Sequence, residues 1–489
     1  MSLTKVSYSM IDGAFGNALD YGAIADGTTN STTAIANALA GNDVVYLPEG
    51  VYRVENLSIP AGKTLIGAGK STVLKIVSAS TGSVISTTAK DGWTLSNITL
   101  HGDATSLNVL LATTCVSATV SNVWITASDG YGLVLDNCSK CTFDTINVYD
   151  SGAASYAAVY LKNTTGGGAA NKITNCLFAG NEGRGIFNLG NNFTQISNVT
   201  GYQNSGEVLL IEDSYGCTVT NIQHLGNEPA AGSLSDGIAI NGNSYYNSIN
   251  GFVVANNAGH GVSINGQTGK TGASYNNISN GTIVNSDEGG VVITDQSVAG
   301  SVPVGNVVSN VVSENAGIGV ASESFGVAGG TDNLFVNCVS KNSGTGTTTY
   351  GFSEIDSANS ALRNSFTGRL LGIYSAGDYA LETAGTSSVH QTNKITTDTW
   401  VTFDGNGGAT IKASSNVLSV VRNSTGNYTI NYLKRVLPNC PISALARNFG
   451  GGNNFVNIYT APSNGAVTIQ VCDAAGVAQD SDYVSVQVG

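Results

Sequence analysis

The chain has 489 residues, a formal net charge of −13, 62 Gly, 7 Pro and only 11% charged residues. A hydrophobic fraction of 41% excludes intrinsic disorder, and the lack of basic stripes excludes a long nucleic-acid groove. Gly, Asn, Ser and Thr interleaved with β-branched runs point to many short strands and tight turns, an all-β chain. No run reaches transmembrane length and residues 1–13 (MSLTKVSYSMIDG) lack an apolar signal core, so neither membrane insertion nor Sec export is expected. Cys138 and Cys141 form a CxxC with no second pair at zinc spacing. The eight cysteines are therefore expected as buried free thiols.

In chain order, residues 18–76 read as a strand, a turn and one short helix over Thr33–Ala40, preceded by the capping-type residues Asn30, Ser31 and Thr32. Alternating strands follow in VVYLPEGVYRV, LSIPAGKTLIGAG and STVLKI. These residues resemble the entrance of pectate-lyase-like right-handed parallel β-helices, especially those of bacteriophage tailspikes. The preceding VSYSMIDGA is similar to the segment that leads into such domains in phage tail proteins. The resemblance implies a lead segment over residues 1–17 that attaches to the phage tail or baseplate. It further implies a β-helix over 18–372 whose opening helix caps the solenoid. An uncapped end would expose core and strand edges.

The next three hundred residues repeat. An Asn before an apolar pair recurs at Asn97, Asn122, Asn175, Asn198, Asn221, Asn250, Asn280, Asn310 and Asn337. From Asn198 the spacings are 23, 29, 30, 30 and 27 residues, the length of a coil of three short strands and three turns. We expect these Asn to form a buried amide ladder that satisfies backbone groups at one turn of each coil. A Gly-rich turn and a β-branched run follow about ten residues after each marker.

Three of those runs end at Ile211, Ile240 and Ile264. The residue four places before each is Glu207, Asp236 and His260, so three titratable groups share one column. One coil rises about 4.8 Å. Neighbouring carboxylates on such a face suit glycoside hydrolysis, which uses two carboxyl groups about 5–5.5 Å apart (retaining) or about 6.5–9.5 Å apart (inverting). SDGIAIN followed by AGHGVSI is similar to the DDxIAIN…GHGxSI pattern of polygalacturonase-type hydrolases. That resemblance assigns Asp236 and His260, while Ser235 stands where the family has the first Asp and Glu207 where it has an upstream Asp. The family's later Arg-x-Lys clamp is absent, which argues against galacturonate as substrate. Substrate contacts are expected from Arg184, Glu182, Asp213, Tyr215, Tyr245 and Tyr246, with Glu212, Asp295, Asp287 and Glu288 as competing carboxylates. No HExxH, EF-hand loop, P-loop or GxSxG occurs, and no metal or cofactor is expected.

The rung markers stop after Gly372. Residues 373–398 read as a linker and 399–489 as a second all-β, sandwich-like block with NSTGN as a hairpin turn. WVTFDG, TGNYT and the final strand resemble a C-terminal domain of phage tail fibres and spikes, which implies a homotrimer; glycan contact by this block is the alternative. The expected function is that of a tailspike depolymerase in the virion, made in the host cytoplasm, cleaving a bacterial cell-surface polysaccharide (capsule or O-antigen) internally by hydrolysis. A polysaccharide lyase using His260 with Arg184 or Lys270, and a non-catalytic adhesin, are the alternatives.

Overall fold

The computed structural model describes residues 15–488 apart from 78–79, 153–154, 167–168, 228–234, 299, 318–321, 343–347, 349, 356–363, 373–376, 382–388, 391–398, 407, 416, 433–441, 449–451 and 461–465. The chain folds into two compact units, Met1–Thr392 and Asn393–Gly489. Most of the lead segment, residues 1–14, and Cys440 lie outside the described residues.

The first unit is a parallel β-solenoid of about twelve turns. It opens with the helix Thr32–Gly41, which seats Ile35, Ala38 and Leu39 on the core. Its N-terminus is capped by Asn30, whose side chain accepts from Thr32 N–H at 2.9 Å. Ser31 points elsewhere and bonds Ile24 instead. From Thr94–His101 to Ser365–Gly372, each long strand pairs in parallel with its counterpart in the next coil. Short strands from Ile85–Thr88 to Gly377–Leu381 stack the same way in a second sheet. Inward Ile, Leu, Val and Phe from both sheets fill one continuous core. The seven described cysteines are buried and free.

Each long strand from Thr94–His101 to Leu334–Asn342 turns a corner at a residue in the left-handed region, and this explains the Asn marker. Asn97, Asn122, Asn175, Asn198, Asn221, Asn280, Asn310 and Asn337 all have φ of 53–58°. Asn tolerates that conformation better than most residues. Their amides do bond from coil to coil, for example Asn221 to Asn198 at 3.0 Å and Asn280 to Asn250 at 2.7 Å. From Asn175 onward, however, they lie exposed. The expected burial of this ladder is therefore wrong, because the left-handed corner turns its side chain outward. In two coils another residue takes the corner, Thr145 and Gly251, and the preceding Asp144 or Asn250 supplies the bonding group.

The buried ladder is a different set, Asn247, Asn276, Asn306, Asn333 and Asn364. Each amide donates to the next carbonyl oxygen at 3.0–3.1 Å. The same side chains also bond backbone groups of the coils on either side. The stretch read as a linker also contributes: Gly377–Leu381 pairs with Tyr350–Ile355 and adds a further rung. Its sequence, GDYAL, lacks the Asn marker, which is why the repeat pattern missed it.

The second unit is antiparallel, with strands that share a core of Val401, Phe403, Tyr428, Ile430, Val467, Ile469, Val484 and Val486. The expected hairpin turns at Gly426, between Val417–Ser424 and Asn427–Tyr432. Within residues 435–449, the strand Ile442–Asn448 pairs with the final strand; the rest lies outside the described residues.

The two Asn ladders predict opposite mutational outcomes. Asn276→Leu leaves buried groups unpaired and should cost about 1–3 kcal/mol for each. Asn280→Gly keeps the left-handed corner and should change stability by less than about 1 kcal/mol. Urea unfolding of the two variants against the parent distinguishes them.

Candidate active site

The short strands bring the titratable column together as the repeat predicts. Leu209 pairs with Ile238 and Ile238 with Val262, and Ile211, Ile240 and Ile264 are in register. The residues four places earlier therefore fall on consecutive coils. Upstream, Asn188 pairs with Ile211, which adds Arg184 to the line; downstream, Ile264, Ile293 and Val327 add Gly289 and Glu323. Leu210, Ala239 and Ser263 face outward between the inward Leu and Ile residues, yet they are buried, so this stretch of face is recessed.

Arg184 Nε donates to Glu207 Oε2 at 2.7 Å, and both side chains are largely shielded, at 26% and 15% exposure. The guanidinium also lies 5.5 Å from the Phe187 ring centre. Tyr131, Tyr160 and Phe187 stack along the axis at 4.7 and 4.9 Å. An aromatic strip thus runs up to the charged column.

Asp236 sits beside Glu207 in a different environment. Its Oδ1 accepts from His260 N–H at 2.8 Å and its Oδ2 from the Ser263 hydroxyl. The Ser263 oxygen itself accepts from Asn265, which also donates to Asn241. Burial, reinforced by the charge of Glu207, raises the Asp236 pKa to about 7 against the opposing pull of those two hydrogen bonds. Gly259 makes this packing possible, since a Cβ there would lie 2.6 Å from Asp236 Oδ1. The glycine before the histidine in AGHG thus has a steric reason.

The His260 ring bonds to the following coil. Its Nδ1 accepts from Gly289 N–H at 2.9 Å, which places the proton of the neutral ring on Nε2, 3.2 Å from Glu288 Oε2. Burial lowers the His260 pKa, against the attraction of Glu288 and Glu323. Asp236, His260 and Glu288 offer ligand atoms within 4.8 Å of one another. The donor set does not fit a metal, because Nδ1 is occupied by Gly289 N–H and Nε2 carries the proton.

The expected substrate-binding residues divide into two groups. Arg184 joins the column, and Glu182 is exposed in the turn just before it. Asp213, Tyr215, Tyr245 and Tyr246 lie beyond the other end of the short strands. There Lys270 pairs with Asp213, and the Tyr245 hydroxyl meets Asn243 and Thr271. Lys270 therefore belongs to this opposite rim and not to His260. Sequence reasoning ranked Glu288 only as a competitor and did not single out Ser263 or Glu323. Ser263 is the middle residue of the VSI run, on the outward phase of a period-two strand, and that signal was available.

Residues 15–232 match the rhamnogalacturonase A/epimerase, pectate-lyase-like family. The Pseudomonas phage phi297 tailspike gp61 superposes with a TM-score of 0.50 at 11% identity, over 97% of this chain and 98% of that one. The family match lies within the first unit, whose fold is a parallel β-helix. Bacteriophage CBA120 tailspike protein 3 aligns with a TM-score of 0.47 at 16% identity, over 81% of this chain and 65% of its own. The Azotobacter vinelandii mannuronan C-5 epimerase AlgE4 A-module aligns at 0.43 and 16%, over 77% and 99%. No curated protein matches the sequence.

The raised Asp236 pKa has a consequence for stability. The folded state binds this proton more tightly than the unfolded chain, so the contribution is whole below about pH 4 and is lost as pH rises to about 7. Asp236→Asn should therefore melt above the parent at pH 8, and the gap should narrow toward pH 5. Calorimetry across that range checks the sign.

Proposed function

We propose that the protein is a phage tailspike depolymerase that binds a bacterial surface polysaccharide, capsule or O-antigen, and cleaves it internally by glycoside hydrolysis. The observation that carries this reading is the unequal carboxyl pair. Asp236 holds its proton near neutral pH, while Glu207 on the adjacent coil is ion-paired with Arg184. Hydrolysis of a glycosidic bond needs one carboxyl group to protonate the leaving oxygen and another to activate water or attack the anomeric carbon. Asp236 is the general acid and Glu207 the base or nucleophile. His260 positions the acid through its backbone N–H, and Ser263 fixes the other carboxyl oxygen. The stacked Tyr131, Tyr160 and Phe187 offer an apolar surface to sugars next to the cut.

Elimination is less well served. It needs a cation to neutralise a uronate carboxylate, but Arg184 is engaged by Glu207 and Lys270 by Asp213 on the other rim. The surrounding carboxylates also repel an anionic polymer. The fold shared with a phage tailspike over nearly the whole of both chains supports a place in the virion tail. The residue 1–17 segment is then the attachment point and the C-terminal unit the element that holds a homotrimer.

Glu207→Gln and Asp236→Asn should each lower turnover on a cleavable bacterial polysaccharide by about 10²-fold or more, the scale of general acid–base catalysis. The parent rate should fall above about pH 7 as Asp236 loses its proton. Chain-length analysis of digests reads both effects, and near-parent rates in both variants would refute the assignment. Light scattering on the full-length protein should give the mass of a trimer.

A further inference from the structure

A second surface lies on the opposite rim of the short strands. Gln195, Thr218, Ser248, Asn277 and Val307 are in register on consecutive coils. The residue two places before each is Phe193, Gly216, Tyr246, Tyr275 and Gly305, so these form one line along the solenoid axis. Phe193, Tyr246 and Tyr275 have φ of 55°, 57° and 57° and are 51%, 67% and 50% exposed. A bulky side chain in the left-handed region is an unfavourable choice. The fold does not demand it, because the same corner is occupied by Lys140, Ala170 and Asp332 in other coils.

The rings are arranged and not merely exposed. Each leans toward the next coil. Phe193 lies over Gly216, where a Cβ would meet its ring at 2.7 Å, and Tyr275 lies over Gly305 with the same clearance. Tyr246 stacks on Tyr275 at 5.5 Å and 14°. The result is an exposed aromatic strip about 19 Å long over four coil spacings. Polar side chains border it, Gln195, Thr218, Ser248 and Asn277 on one side and Asn192, Tyr245 and Thr271 on the other. Of the charges around it, Lys270 and Asp213 pair with each other, while Lys172 and Asp332 stand one coil beyond either end of the line.

We propose that Phe193, Tyr246 and Tyr275 form a second, non-catalytic glycan-binding site that takes an uncharged polysaccharide segment running along the axis. Sugar rings present C–H faces to aromatic rings and hydroxyls to bordering amides and hydroxyls, and this strip offers both in one line. A subunit contact fits less well, since interface cores are broad and desolvated, whereas this line is one ring wide between polar borders. The site rests on the polysaccharide reading above, but it does not depend on Glu207 or Asp236. It would hold the polymer on the rim opposite the cutting column.

The test uses full-length protein carrying Asp236→Asn to block cleavage, with and without the triple change Phe193→Asn, Tyr246→Asn and Tyr275→Asn. Asn suits a φ near 55°, so the triple variant should melt at or above the temperature of its parent. Biosensor binding to a panel of neutral capsular and O-antigen polysaccharides should show at least a tenfold loss of affinity in the triple variant. Unchanged affinity, no neutral polymer bound by the parent, or a lowered melting temperature that accounts for the loss would each overturn the proposal. A changed oligomeric state would overturn it in favour of a subunit contact. If the wild-type chain cuts nothing yet binding needs the rings, the cleavage reading fails and this site stands. If cutting persists while the rings prove dispensable for binding, the reverse holds.

Discussion

Everything at the proposed active site depends on parallel pairing that does not slip. From Ile186 through Leu209, Ile238 and Val262 to Val291, each residue pairs with its counterpart one coil on. Two inward aliphatic residues per short strand enforce this, since a one-residue slip would turn Leu209 and Ile211 outward and bury Leu210 and Glu212 among apolar side chains. The buried Asn247–Asn364 ladder adds a polar constraint on the same register, because its amides are satisfied only by their neighbours one coil away. A fixed register converts sequence spacing into a line of side chains, and the chemistry follows from what stands on that line.

Along that line the environment changes faster than the backbone. Glu207 meets a guanidinium; Asp236, one coil later, meets only neutral donors and a neighbouring negative charge. His260, a coil further, is fixed in one tautomer by a backbone N–H. Three groups at equivalent backbone positions thus sit in different electrostatic surroundings, and burial raises the Asp236 pKa and lowers that of His260. The Asp236 proton is held by burial rather than by an acidic partner, so it can be transferred when a leaving oxygen takes the place of solvent.

Much of the fold was legible because a solenoid writes its period into the sequence. The capping helix, the coil length and the alignment of Glu207, Asp236 and His260 all came from local pattern and register. What misled was the Asn marker. Two Asn recur in most coils, as in YNNISN at 275–280, and spacing cannot tell which one is buried. Backbone conformation decides: Asn280 turns the left-handed corner and faces out, while Asn276 follows such a corner and faces in. The same blindness applied to the site. Tyr215, Tyr245 and Tyr246 flank the column in sequence but lie a strand's length away from it in space. The roles of Ser263 and Glu288 depend on side-chain direction across neighbouring coils, which no single-strand pattern contains.

The central claim is that the Glu207–Asp236 pair adds water across a glycosidic bond. Digestion of a susceptible bacterial polysaccharide in oxygen-18 water, followed by mass spectrometry of the fragments, tests it directly. Hydrolysis by this pair leaves one labelled oxygen at each new reducing end and no unsaturated sugar. Fragments lighter by one water, unlabelled and absorbing in the ultraviolet, would contradict it and assign the column to elimination.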